Sequence, residues 1–515
     1  MSRFGLNWRS DRSILAVSCL VVMMVYGLLI DLRGISTDEG IRLGIMNGRE
    51  AYSANHSTTQ ATWNDVLEAN VGSNYQPLYF ILQNSVMRIT QTQSMNVLRL
   101  TNLFFLLVCL VGLIALTTSW RLMPRLFFIG LFSFNAYLFM HVLHIREYIL
   151  GVAFYIWSSW LVLKLDQRSL TSFRADIGWF AIYGLSLILG FYLQTWVVFI
   201  AIGQFLFLVI RRRPNRVRFF AHLALSYGLV WYATLSYIIG NSSKVSVGRW
   251  GAEGTAVMPQ LLVGFRLLFS GHVAPKTFNI FELLFWFWAA AFVAALMLIA
   301  MRWKDEISSP DDAEMKRRGL LATLCLGIAL TFQIVYCLHV DNLSVWPRYF
   351  LIHYFFLTWV IALGFNALYE LCFNLPPHKT LRTLTQTGAA ILGVVMVVSA
   401  VAQTQSYHRQ PFLDTGLSHD SNWNVWSKQL AEFTQPDDLV ISHDFISRAT
   451  LTFTHPFTNE VIMLHELESF DLSQTNRIVY MESSYSLHER DTLLQRMRAV
   501  GFGQFDPHPM LKASR

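Results

Sequence analysis

The chain has 515 residues, of which 54% are apolar and only 14% charged, with a formal net charge of +7. Repeated apolar runs of about 20 residues exclude a soluble globular chain and indicate a polytopic membrane protein. The basic excess does not point to nucleic acid, because Lys and Arg cluster in short loops between apolar runs, where orientation in the membrane accounts for them.

In chain order, the first apolar run, 14–30, follows Arg3, Arg9 and Arg12 and lacks a small-residue cleavage site, so it reads as a retained signal anchor. Further spans are expected at 98–119, 125–143, 147–164, 177–193, 196–210, 219–239, 280–301, 319–338, 347–369 and 384–402, which makes eleven. The segment 76–89 is short for a span and carries Gln83, Asn84 and Arg88, so it is assigned as an interfacial helix. With that assignment the loops holding Arg121 and Arg125, Lys164, Arg168 and Arg174, Arg211 to Arg213, and Lys316 to Arg318 all face the cytoplasm beside the basic N-terminus. The loop 31–97, the loop 240–279 and everything after 402 then lie on the outer face. Within 240–279 the stretch 259–269 reads as a second interfacial helix.

After residue 403 the apolar runs stop. A helix near 424–433, strands at 439–442 and 477–481, and a helix near 487–500 describe a small α/β domain over 403–515. The expected fold is therefore an α-helical polytopic membrane module, residues 1–402 with about eleven transmembrane helices, followed by that extramembrane domain. The five cysteines, Cys19, Cys109, Cys325, Cys337 and Cys372, lie in or beside apolar segments and indicate neither a disulfide framework nor a cysteine metal site.

The residues suited to chemistry sit at the membrane rims. Asp38 and Glu39 open the first outer loop directly after the first span. An acidic pair is often no more than a solvated loop feature, but a carboxylate at this position is suited to act as a general base toward an acceptor hydroxyl, or to offer oxygen ligands to a divalent cation. Arg146, in His144-Ile145-Arg146-Glu147-Tyr148, and Arg348, in Trp346-Pro347-Arg348-Tyr349, are both expected at the outer membrane level. Each either snorkels toward head groups or offers a planar fork that binds a phosphate bidentately. His222 and His353 read as core histidines, since no second ligand stands at metal-binding spacing.

At these residues the chain resembles the C-type (GT-C) membrane glycosyltransferases, in particular the protein-mannosyltransferase and aminoarabinose-transferase group (glycosyltransferase family 39-like), over approximately residues 14–370. The resemblance is carried by Asp38-Glu39 after the first span, Pro77-Leu78-Tyr79 in the surface helix, Arg99-Leu100 opening the second span, Arg146-x-Tyr148, and Arg348-Tyr349. The chain departs from the group's pattern in having Tyr75-Gln76 where His-Pro is common before Pro77, and His144 where Glu is common before Arg146. The second departure leaves metal dependence and acceptor type open.

The resemblance implies a transferase that moves a sugar from a polyprenyl-phosphate donor to an acceptor hydroxyl on a glycan, lipid or protein, with inversion. It implies Asp38 and Glu39 as catalytic residues and Arg146, Arg348, Tyr148 and Tyr349 at the donor phosphate; Tyr79, with His144 and Tyr75 at the positions of departure, is expected at substrate. The compact chain and the charge-derived topology give the expectation of a bacterial inner membrane with the site facing the periplasm or exterior, and a divalent cation is the one optional cofactor. The competing readings are a secondary transporter, which concentrates charged groups near mid-membrane rather than at the rims, and a polysaccharide polymerase or ligase.

Overall fold

The computed structural model of the protein describes residues 8–30, 42–43, 45–46, 61–71, 77–92, 94–168, 173–211, 216–242, 262, 264–266, 268–269, 280–304, 310–339, 350–374, 388, 391, 395, 430, 432, 434–435, 438–442, 461–463, 477–481, 495, 498, 504–506 and 510–514. The chain divides into two compact units, Met1–Ile30 with Arg99–Gln410, and Asp31–Leu98 with Pro411–Arg515.

The first unit is helical: α1 (Trp8–Leu28), α4 (Met95–Leu116, shared with the other unit at its first residues), α5 (Leu122–Ser133), α6 (Ala136–Val142), α7 (Tyr148–Gln167), α8 (Phe173–Phe191), α9 (Val197–Ile210), α10 (Arg216–Ser242), α11 (Ile280–Lys304), α12 (Pro310–His339) and α13 (Leu351–Asn374). Among the described residues six helices are long and apolar enough to cross a membrane, within α1, α4, α7, α11, α12 and α13, and α5, α8, α9 and α10 hold shorter apolar stretches. Of the expected span 384–402 only residues 388, 391 and 395 are described, and all three are helical.

Helix α13 is the centre of this bundle. It packs against α5, α7, α11 and α12, and 89% of its membrane-length window is buried. It approaches α11 so closely that a Cβ on Gly364 would collide with the backbone of Ala295, which is the small-residue contact that lets membrane helices pack without a hydrophobic drive between them. By contrast α1 and α11 each keep an open apolar side, including Val17, Leu20 and Met24 on one and Leu283, Trp286 and Met297 on the other, as lipid-facing helices do.

One set of polar side chains inside the bundle is paired internally. Tyr183 Oη donates to Gln204 Oε1 at 3.0 Å and meets Tyr227 Oη at 2.8 Å, while Gln204 Nε2 donates to Ser158 Oγ at 2.9 Å. This network joins α7, α8, α9 and α10. His222 stacks on Phe180 at 5.1 Å, and His353 hydrogen-bonds Gln333 between α13 and α12, both consistent with core histidines.

The expected single span 125–143 is two helices. The chain breaks at Phe134–Asn135 between α5 and α6. A break inside a bilayer frees carbonyls that no water can satisfy, so protein donors must replace the lost bonds. Tyr354 Oη donates to the carbonyls of Leu131 (3.0 Å) and Phe132 (2.8 Å), and Tyr26 Oη to that of Ser133 (2.8 Å). Asn135 then starts α6, its Oδ1 accepting from the Tyr137 N–H at 2.8 Å as an N-cap.

The second unit contains α2 (Trp63–Val71), α3 (Pro77–Thr90) and a five-stranded sheet. Helix α2 begins with a reciprocal cap: Thr62 N–H donates to Asp65 Oδ2 at 2.6 Å and Asp65 N–H to Thr62 Oγ1 at 3.3 Å. Asn84 of α3 donates from Nδ2 to the carbonyls of Met46 (2.8 Å) and Ala61 (3.2 Å), tying both segments to the helix. The strands are β1 (Leu439–Ser442), β2 (Val461–Met463), β3 (Arg477–Met481), β4 (Gln504–Asp506) and β5 (Met510–Ser514), in the order β2-β1-β3-β5-β4. Pairs β1–β2 and β1–β3 are parallel, and β3–β5 and β4–β5 antiparallel. The bounds of β1 and β3 coincide with the two strands read from the sequence. Parts of both expected tail helices are helical, at residues 430 and 432 and at 495 and 498.

Candidate active site

The described part of the candidate site is the turn between α6 and α7. Helix α6 ends at Val142 and is capped by Leu143, whose N–H bonds the carbonyl of Phe139, and α7 begins at Tyr148. Residues 143–147 between them are not helical. The carbonyl of His144 organises this turn. It accepts the N–H of Arg146 at 2.7 Å and a hydrogen bond from Asn102 Nδ2 of α4, using both of its lone pairs.

That turn holds Arg146 in place. Its side chain is fully buried, yet it belongs to a residue just outside the first turn of α7, where unbonded N–H groups and the helix dipole favour negative charge. Its Nη1 donates to Tyr148 Oη at 3.1 Å, and its guanidinium carbon lies 5.5 Å from the centre of the Tyr148 ring. Tyr148 is in turn fixed by the His141 ring, edge-on at 4.8 Å, and His141 by Tyr137 at 4.7 Å. The result is a planar cation whose fork is oriented by packed aromatics, the arrangement that suits bidentate recognition of a phosphate or carboxylate.

Of the residues read from the sequence, Arg146, Tyr148 and His144 are thus brought together, although His144 contributes its backbone carbonyl to the turn. Tyr79 belongs to the other unit and is fully buried there, its hydroxyl accepting from Gln83 Nε2 at 2.9 Å and its ring edge-on to Phe80. Arg99 closes the end of the first span: its Nη1 donates to the carbonyl of Ile30 at 3.1 Å. Asp38, Glu39, Tyr75, Arg348 and Tyr349 lie outside the described residues. Among the described residues no group of three or more His, Cys, Asp or Glu side chains is placed to hold a metal ion.

Sequence reasoning missed Asn102, His141 and Tyr137. Asn102 had a signal, since a lone amide inside the apolar run 98–119 must find a partner in a bilayer. His141 and Tyr137 had none, because aromatic residues in a membrane helix are unremarkable until their neighbours are known.

The fold has counterparts among solved structures. ArnT from Cupriavidus metallidurans matches in the apo state with a TM-score of 0.54 at 13% identity, covering 98% of each chain. The same protein bound to undecaprenyl phosphate matches with a TM-score of 0.53 at 12% identity, covering 99% of this chain and 98% of that one. The apo oligosaccharyltransferase of Archaeoglobus fulgidus matches with a TM-score of 0.51 at 13% identity, covering 93% of this chain and 70% of that one. No protein-family model matches the sequence, and no curated protein matches it. The chain therefore has a GT-C-like fold.

Proposed function

We propose that the protein is a membrane glycosyltransferase that moves a sugar from a polyprenyl-phosphate donor to an acceptor hydroxyl, with inversion at the anomeric carbon. The observation that carries the reading is the buried, oriented guanidinium of Arg146 beside Tyr148, in a chain whose fold is shared with a protein that binds undecaprenyl phosphate.

In this reading the acceptor oxygen forms a bond to the anomeric carbon while the bond from that carbon to the phosphate oxygen breaks. The acceptor proton passes to the carboxylate of Asp38, and the lipid phosphate leaves with the bonding pair. Negative charge grows on the phosphate as that bond breaks, so a guanidinium fixed before the reaction stabilises the transition state more than the ground state. Arg348, with Tyr349, supplies a second cation to the phosphate. Glu39 supports the acidic pair, and His144, Tyr75 and Tyr79 contribute to the substrate site. The donor is already activated, so no nucleotide sugar is needed.

The same reading places eleven spans in a bacterial inner membrane, with α3 lying along the outer surface, the tail outside and the site facing the periplasm. Full-length protein in vesicles, supplied with a labelled polyprenyl-phosphate sugar, should release polyprenyl phosphate and form a product of inverted anomeric configuration. Movement of an unmodified solute across the vesicle without donor cleavage would instead establish the transporter reading.

A further inference from the structure

Helix α7 is buried over 78% of its membrane-length window, and its partly exposed positions follow a pattern. Phe154, Trp157, Trp160 and Lys164 are half-buried, and Arg168, which caps the helix end, is exposed. These positions recur at three- and four-residue spacing and so lie on one face. That face runs from apolar aromatics to two cations.

The cations are backed by indoles. Lys164 Nζ lies 5.7 Å from the Trp160 ring centre, and the Arg168 guanidinium carbon lies 4.3 Å from that of Trp179 on α8. Trp160 stands edge-on to Trp157 at 5.6 Å and tilted against Trp179 at 6.4 Å, so the three indoles form a continuous cluster. The acid at this end of the helix is turned away: the Asp166 side chain is 2% exposed and bonds Arg211 at 3.3 Å, with Arg317 at 3.8 Å. Simple snorkelling accounts for a single basic side chain, but not for two cations each set against an indole of a cluster that spans two helices.

We infer that this face seats an anionic phospholipid, its phosphodiester between Lys164 and Arg168 and an acyl chain along Trp160, Trp157 and Phe154. Tryptophan at headgroup level and clustered basic residues are the features that recognise such lipids. The site is separate from Arg146, which stands at the opposite end of α7. From Tyr148 to Lys164 the helix rises roughly 24 Å, most of a hydrocarbon core. The lipid therefore belongs to the other leaflet from a donor phosphate at Arg146, and the inference does not depend on the proposed transfer reaction.

The test is lipid retention by the full chain in detergent, measured by native mass spectrometry during titration with phosphatidylglycerol or phosphatidylcholine. The wild type should retain phosphatidylglycerol in clear preference, and Lys164→Ala with Arg168→Ala should weaken that retention roughly tenfold or more. The exchange Lys164→Arg with Arg168→Lys should keep most of it, and unchanged thermal unfolding shows that the variants are folded. Equal retention of the two lipids by the wild type, or undiminished phosphatidylglycerol retention by the double alanine variant, overturns the inference. Displacement of phosphatidylglycerol by an equimolar polyprenyl phosphate also overturns it, since the face would then be a donor site.

Discussion

The side-chain amide of Asn102, on α4, donates a hydrogen bond to the backbone carbonyl of His144, 42 residues away in the turn before α7. That carbonyl also accepts the Arg146 N–H. One amide on a neighbouring helix therefore sets the position of the cation proposed to meet the donor phosphate. Losing a buried hydrogen bond costs about 1–3 kcal/mol, enough to loosen the turn without unfolding a large bundle.

Asn102→Leu should lower transfer about tenfold or more while thermal unfolding shifts little, because the lost bond acts on geometry at one turn. The informative measurement is a double-mutant cycle with Arg146→Lys. If Asn102 works through Arg146, the two losses will be strongly non-additive; independent losses would mean that Asn102 serves only general packing.

Arg146→Ala should reduce turnover by roughly 10²-fold or more, the scale of removing one preorganised donor from a developing negative charge. Arg146→Lys should recover only part, because a point charge cannot reproduce the planar fork held by Tyr148. Steady-state transfer from a polyprenyl-phosphate sugar measures both variants. Full recovery by lysine would show that charge alone suffices.

Asp38→Asn keeps the side-chain shape but cannot accept the acceptor proton. Turnover should fall by roughly 10²-fold or more while binding of the lipid donor persists. Glu39→Gln should have a smaller effect. Transfer and donor binding are measured in parallel, and near wild-type turnover in Asp38→Asn would remove the general base from the mechanism.

The cap on α2 predicts a pH dependence. The Thr62 backbone N–H, followed by its hydroxyl, holds the exposed Asp65 carboxyl below its usual value. A depressed value in the folded state means that the contribution is fully present above the unfolded value, near 4, and is lost as pH falls through the folded one. The protection of the first-turn amides of α2, including Val66, measured as exchange relative to the intrinsic rate at each pH, should fall over that window in the wild type. In Asp65→Asn the protection should stay flat; the same loss there would place its cause elsewhere.

The sequence by itself determined that the protein is a membrane helix bundle, because apolar runs long enough to cross a bilayer have no other stable fate. It located Arg146 next to Tyr148, since a pair two residues apart is fixed by the chain. It also located β1 and β3, whose apolar runs show their strand character locally. Tertiary structure decided what depends on partners distant in sequence. The break at Phe134–Asn135 lies within a run that reads as continuous, and it is stable only because Tyr26 and Tyr354, 107 and 222 residues from the carbonyls they satisfy, supply the missing donors. Likewise β4 and β5 carry weak local patterns and acquire their strand identity from antiparallel pairing with each other and with β3. A hydropathy window measures transfer from water; it contains no information on which distant donor will meet a freed carbonyl, and that pairing is what shapes the turn carrying Arg146.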